Sequence, residues 1–439
     1  MSKKQKTKRK SPKLVLPGFE VIKKQRGFTE LVLKKNGLRI LHKEIKNTGV
    51  ITTNITYRVG SRDEARGETG LAHMLEHMVF KPTKRDVKKK VNSGAMQFER
   101  ETGCILNANT WKDRTTYFFS YPKEYVGEAL RIEADRMVNV VLTDKEFLPE
   151  RNNVLSEFDM NNGDPYFALS VQMVSTAFHS NTYGHETIGF REDIENYTAE
   201  KLKAFYEQYY RTDNATLMVI GDCSLEDSLG QIKKEFGSLK NPSEAIPRYN
   251  IPEPKQEGVR RSYVKRESKT NIVALGIKHN SFPTKHWYET AMLLEILAGG
   301  TDSILYTHFV DSGKAIRVET MIEPTSNENL GAIFITLAPG QSHDTIEQEA
   351  LAVISKLKSK EIDSLLKKSI QKTITDELFA QGSSLKIAME LTEFVAAEKW
   401  VAYTETEKML QSITAKDILT IRDTLFNFDS MTIGYFIGT

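Results

Sequence analysis

The sequence predicts an α+β protein of two similar α/β-sandwich halves, each a mostly antiparallel sheet with helices packed on one face. Three observations lead there. At 439 residues the chain is too long for one small core and points to two or three domains. Strand and helix patterns run in the same order twice, which a duplication explains most simply. Between the copies lies "SLKNPSEAIPRYNIPEPKQEGVRR", with four prolines and few apolar residues, the texture of a linker. The expected organisation is a basic tail over residues 1–25, an N-terminal half over 26–238, a linker over 239–262 and a second half over 263–439.

The elements follow in order. "LRILHKEI" and "ITTNITYRVG" are β-branched and alternating, and so read as strands. After the polar loop "SRDEARGETG" comes the helix "LAHMLEHMVF", stopped near Pro82. "GCILNANT" and "RTTYFFSYP" read as adjacent strands, and "KEYVGEALRIEADRMVNVV" and "KEFLPERNNVLSEFDM" as helices. The helix "AEKLKAFYEQYY" and the strand "NATLMVIGD" close the first half. In the second half, "KTNIVALGIK", "GAIFITLAPG" and "SMTIGYFIGT" are strands, and "HWYETAMLLEILAGG" and "TIEQEALAVISKL" are helices.

Composition excludes several classes. A net charge of +3 argues against nucleic acid as the main partner. The basic residues that cluster do so in "MSKKQKTKRK", which reads as a solvated tail; no apolar run of signal-peptide type follows it. No window approaches a membrane span. Two cysteines, Cys104 and Cys223, give no disulfide framework and suit a reducing compartment, so a cytoplasmic protein is expected. Cys104 reads as a small buried residue, since no base lies near it in sequence.

The chemistry concentrates in "GLAHMLEHMVFKPT". His73 and His77 are four apart, so on a helix they share a face and can present two imidazoles to one ion. Glu76, three residues after His73, points to the same side and reaches a water beside the ion rather than the ion itself. Two His ligands, an open position and a carboxylate base are what a hydrolytic zinc site requires. The order H-x-x-E-H is the inverted zincin signature. Chance would produce it on the order of once in a hundred such chains. The helix is otherwise apolar, and burying His and Glu without partners would be costly; a shared metal ion resolves that. A third ligand is required. "PERNNVLSEFDMN" offers Glu150 and Glu157, seven apart and on one helix face. One would ligate and the other would hydrogen-bond a ligand; spacing does not say which.

Over roughly residues 30–439 the sequence resembles the pitrilysin-type inverted-zincin metallopeptidases, above all the two-domain branch of mitochondrial processing peptidase and its bacterial relatives. The resemblance is carried by "VGSRDEARGETGLAHMLEHMVFKPT", "LNANTWKDRTTYFF", "PERNNVLSEFDMNNGDP" and "YGHETIGFREDIENYTAEKLKAFYEQYYRTDNATLMVIGD". It implies that His73, His77 and Glu157 are zinc ligands, that Glu76 is the general base, and that Glu150 is a supporting carboxylate of the catalytic set. It implies further that Asn107 and Ala108 lie on an edge strand that binds a peptide substrate by β-augmentation. His185 in "YGHETIGF" is expected to be structural, because three protein ligands already complete the site.

One departure stands out. Active family members carry an Arg and a Tyr seven residues apart in the second copy, where they bind the substrate carbonyl and the developing oxyanion. In "DSILYTHFVDSGKAIRVE" those positions hold Val310 and Ile316, with Tyr306 and Arg317 nearby but displaced. The resemblance then implies a zinc-bearing subunit whose homologous partner supplies Arg and Tyr in a heterodimer, or else a homodimer. The expectation is a zinc endopeptidase acting on short or unfolded peptides in a closed chamber. The alternative is a non-catalytic, peptide-binding or structural subunit on the same fold.

Overall fold

The computed structural model describes residues 17–249 and 251–439. Seven strands form the first sheet: β1 (Phe19–Gln25), β2 (Phe28–Leu33), β3 (Arg39–Glu44), β4 (Val50–Tyr57), β5 (Ile105–Thr110), β6 (Thr115–Pro122) and β7 (Ala215–Gly221), in the spatial order β1-β2-β3-β7-β4-β6-β5. Five form the second: β8 (Arg260–Arg266), β9 (Ile272–His279), β10 (Ala315–Met321), β11 (Asn329–Leu337) and β12 (Thr432–Gly438), in the order β10-β11-β9-β12-β8. The second order, read backwards, is that of β3-β7-β4-β6-β5 strand for strand. Each sheet also has one parallel pair, β3 with β7 and β8 with β12. The expected duplication is therefore a duplication of topology.

Helices of the first half are α1 (Leu71–Met78), α2 (Lys84–Lys89), α3 (Gly94–Thr102), α4 (Val126–Arg136), α5 (Asp144–Asn162), α6 (Pro165–Ala177), α7 (Arg191–Asn196), α8 (Ala199–Tyr209) and α9 (Leu225–Phe236). The second half has α10 (Lys285–Ala298), α11 (His343–Ser355), α12 (Ser359–Ala380) and α13 (Ser384–Ala396), with shorter helices up to Leu425.

The period-2 alternation of the strands creates two apolar faces per sheet. In the first sheet Leu31, Ile40, Ile55 and Leu217 face the main core with α1, α4 and α9. In the second, Val273, Leu275, Ile333 and Ile335 do the same with α10 and α11. The opposite faces are also covered, and each by a helix of the other half. Leu169, Met173 and Ala177 of α6 lie on Ile272, Ala274 and Phe334 of the second sheet. Ile387, Ala388 and Leu391 of α13 lie on Phe28, Leu41 and Ile220 of the first. The single helical face expected from sequence is thus supplemented by a reciprocal exchange that joins the halves through apolar burial.

Two expected boundaries move. Residues 1–16 of the anticipated tail lie outside the described residues, but Phe19–Gln25 are β1, paired with β2 through Arg26 and Gly27, both at positive φ. A two-residue turn of this kind matches the twist of a hairpin. The linker ends earlier than expected, because β8 begins at Arg260.

Candidate metal centre

Helix α1 buries Leu71, Ala72, Met74, Leu75 and Met78. Its partly open positions are His73, Glu76, His77 and, just beyond it, Phe80, a single stripe at helical spacing. The burial of the others fixes the helix rotation, so the stripe has one direction to face. That direction is towards α5 and the edge strand β5.

The helix begins at Gly70, which has no side chain to cap it and whose φ is +92°. Glu64 supplies the cap from the preceding loop. Its carboxylate accepts from the N–H of Gly70 at 2.8 Å and of Ala72 at 2.7 Å, where the helix dipole favours an anion. His185 Nε2 lies 3.0 Å from the same carboxylate. His185 is therefore structural, as expected, and it acts on the helix that carries the site.

His73, His77 and Glu157 offer ligand atoms that all lie within 4.8 Å of one another. His73 Nε2 is 3.7 Å and His77 Nε2 3.5 Å from the Glu157 carboxylate. Glu150 stands behind this group. Its Oε1 is 3.0 Å from His77 Nδ1, and its other oxygen takes an ion pair from Lys81. Of the two carboxylates that spacing left undecided, Glu157 meets the histidines as the candidate third ligand. Glu150 contacts His77 from behind, the place expected of the supporting carboxylate. The hydrogen bond with His77, followed by Lys81, holds the Glu150 carboxyl down at about 2.

The donor set suits a zinc ion. Two imidazoles and one carboxylate with room for a further ligand form a hydrolytic zinc set. Glu150 on His77 Nδ1 leaves Nε2 free, the carboxylate–histidine arrangement found behind metal ligands. Desolvation, and then the neighbouring His77, push the His73 imidazole down to about 3, which favours its neutral form. Its Nδ1 has no hydrogen-bond partner among the described residues. Burial alone would lower His77, yet its hydrogen bond to Glu150 and the charges of Glu76 and Glu157 raise it instead.

Glu76 is raised above the usual carboxylate range by burial, partly offset by a hydrogen bond with Thr110 of β5. It opens on a groove of about 640 Å³ whose walls include His77, Phe80, Met96, Leu106 and Asn107. Asn107 is exposed on β5, the edge of the sheet, and accepts from the N–H of Ala108. Ala108 is buried in the core, so its side chain does not face the groove. Only its backbone could meet a substrate. Val310 ends a π-helical turn just before β10, the strand equivalent to β5, and Ile316 is exposed on β10 itself.

Sequence reasoning missed Lys81, Glu64 and Thr110. Lys81 lay in the quoted motif, four residues after His77, a spacing that could have flagged it.

Two family models match. "Insulinase (Peptidase family M16)" matches residues 39–190, and "Peptidase M16 inactive domain" matches 196–372. The chain is 31% identical over 412 residues to the zinc protease PqqE of Helicobacter pylori, covering 90% of each. It is 27% identical over 281 residues to a probable mitochondrial-processing peptidase subunit beta of Schizosaccharomyces pombe, covering 62% of this chain and 59% of that one. Among solved structures, a protease from Helicobacter pylori superposes with a TM-score of 0.87 at 27% identity, covering 93% and 99% of the two chains. A peptidase M16 inactive domain from Pseudomonas fluorescens shares the fold, with a TM-score of 0.81 at 16% identity over 94% and 98%. With the inverted His-Glu-His helix in the first matched segment and kinship running through nine-tenths of a zinc protease, the chain belongs to peptidase family M16.

Proposed function

We propose that this chain is a zinc-dependent endopeptidase for short or unfolded peptides, working as the zinc-bearing subunit of a heterodimer. The observation that carries the reading is the convergence of His73, His77 and Glu157 beside an open groove that also holds Glu76 and the edge strand β5. A zinc ion held by these three residues would supply the Lewis acid that polarises a scissile carbonyl and acidifies the attacking water. Glu76 takes the proton of that water and passes it to the leaving amine. A peptide adds to the free edge of β5 as a further strand, bound through its backbone. Glu150, held by Lys81, fixes the His77 ring.

Oxyanion stabilisation is the step this chain does not complete. Neither Val310 nor Ile316 can donate a hydrogen bond, and loss of one such donor costs about 100- to 1000-fold in rate. A second copy of the chain would bring the same two side chains. A homologous subunit with Arg and Tyr would supply the donors and close the chamber.

The test is cleavage of a quenched fluorescent peptide by the complex isolated from native cells through a tag on this chain, beside the same complex carrying Glu76→Gln. Loss of the general base is expected to lower the rate by about 100- to 10,000-fold, with zinc retained. Equal rates in the two complexes would overturn the reading.

A further inference from the structure

The turn between β5 and β6 places a lysine where few are found. The Lys112 side chain is 2% exposed. Its ammonium donates to the carbonyl of His185 at 2.8 Å and lies 3.6 Å from the Glu186 carboxylate. A buried ammonium is tolerated only where counter-charges and acceptors surround it. Burial opposes its charge, but Glu186 and then Glu323 outweigh that and raise it. Glu186 belongs to the first half. Glu323 belongs to the second, in the turn between β10 and β11, where it also accepts from Asn329. The same two turns meet again beside it: the N–H of Ser326 donates to Asp113 at 2.6 Å.

From Lys112 the contacts lead to the site. Lys112 holds the His185 backbone, the His185 ring lies on Glu64, and Glu64 caps α1 at Gly70 and Ala72, next to His73. The Glu64 carboxylate is fully buried and has no solvent to replace a lost partner. Backbone contact is equally close. A Cβ on Gly70 would stand 2.4 Å from the Ile188 carbonyl oxygen, and one on Gly189 2.3 Å from that of Thr69. The loop and the start of α1 therefore cannot shift independently.

We infer that Lys112 is a positioning residue of the metal centre, which through His185 and Glu64 sets the start of the helix that carries His73, Glu76 and His77. The zinc arm of the test rests on the peptidase reading above; the exchange arm does not.

The test compares hydrogen exchange in full-length wild type, Lys112→Met and Glu186→Gln. Both variants are expected to exchange faster in residues 64–78 and 183–190, with the central strands β4 and β7 unchanged. Zinc affinity, read by competition with a chromogenic chelator, is expected to fall about tenfold in Lys112→Met, the low end for groups behind a ligand. Combined with Glu64→Gln, Lys112→Met is expected to add little further loss, since both act through one contact chain. Should Lys112→Met fail to fold, Glu186→Gln, which keeps the shape and removes only one counter-charge, decides the matter. Wild-type exchange over 64–78 in the folded variants would overturn the inference, and so would a rise spread evenly over the whole first sheet. If the wild type takes up no zinc, the peptidase reading falls, while the exchange result still decides this one.

Discussion

Around His77 three carboxylates have separate geometries, and the separation assigns their tasks. Glu157 faces both imidazoles, Glu150 holds the far nitrogen of one, and Glu76 opens on the groove. Glu150→Gln keeps the shape but weakens the hold on the His77 Nδ1 proton and the pair with Lys81. Zinc affinity is expected to drop about 10- to 100-fold, measured by chelator competition, with unfolding little changed. The sequence carried the ligand stripe itself, because i and i+4 spacing on an apolar helix leaves two histidines few other arrangements. It did not distinguish Glu150 from Glu157. Both lie on one face of α5, and the choice depends on how far along that face His77 falls, which packing of α1 on α5 decides.

At the scale of elements, α1 and α5 were legible from periodicity, and β5 and β6 from alternation. The loop that fastens α1 was not. Glu64 and His185 are 121 residues apart, and Lys112 and His185 are 73 apart. No local pattern records such contacts. Gly189 tests the loop directly. Its φ is +82°, and an added Cβ would meet the backbone of Thr69. Gly189→Ala is expected to destabilise the protein by about 1–3 kcal/mol, seen as a lower midpoint in urea, and to weaken zinc binding with it. Unchanged stability would mean that the loop yields without cost.

For the whole molecule, the duplicated strand order was legible as a repeat of patterns, but the exchange of α6 and α13 was not. An amphipathic helix shows that it has a partner face and not which sheet provides it. The exchange also creates a long seam between the halves. Part of that seam is a cavity of about 310 Å³ lined by residues such as Arg26, Lys43, Glu377, Gln381 and Glu407. Burial, then the neighbouring Glu390 and Glu407, push the Glu377 carboxyl up to about 7. A carboxyl raised in the folded state binds its proton more tightly there than when unfolded. Its stabilising effect is complete below the ordinary Glu value near 4.5 and is lost as pH rises to about 7. Glu377→Gln is therefore expected to raise the melting temperature above neutral pH and to flatten its decline across that window. An unchanged pH profile would exclude Glu377 as its source.

The zinc centre is the claim on which the rest depends, and elemental analysis of the purified chain beside His73→Ala and His77→Ala tests it most directly. About one zinc per wild-type chain is expected, with near loss in both variants. A wild-type chain free of zinc after reconstitution, or variants that keep a full equivalent, would contradict it.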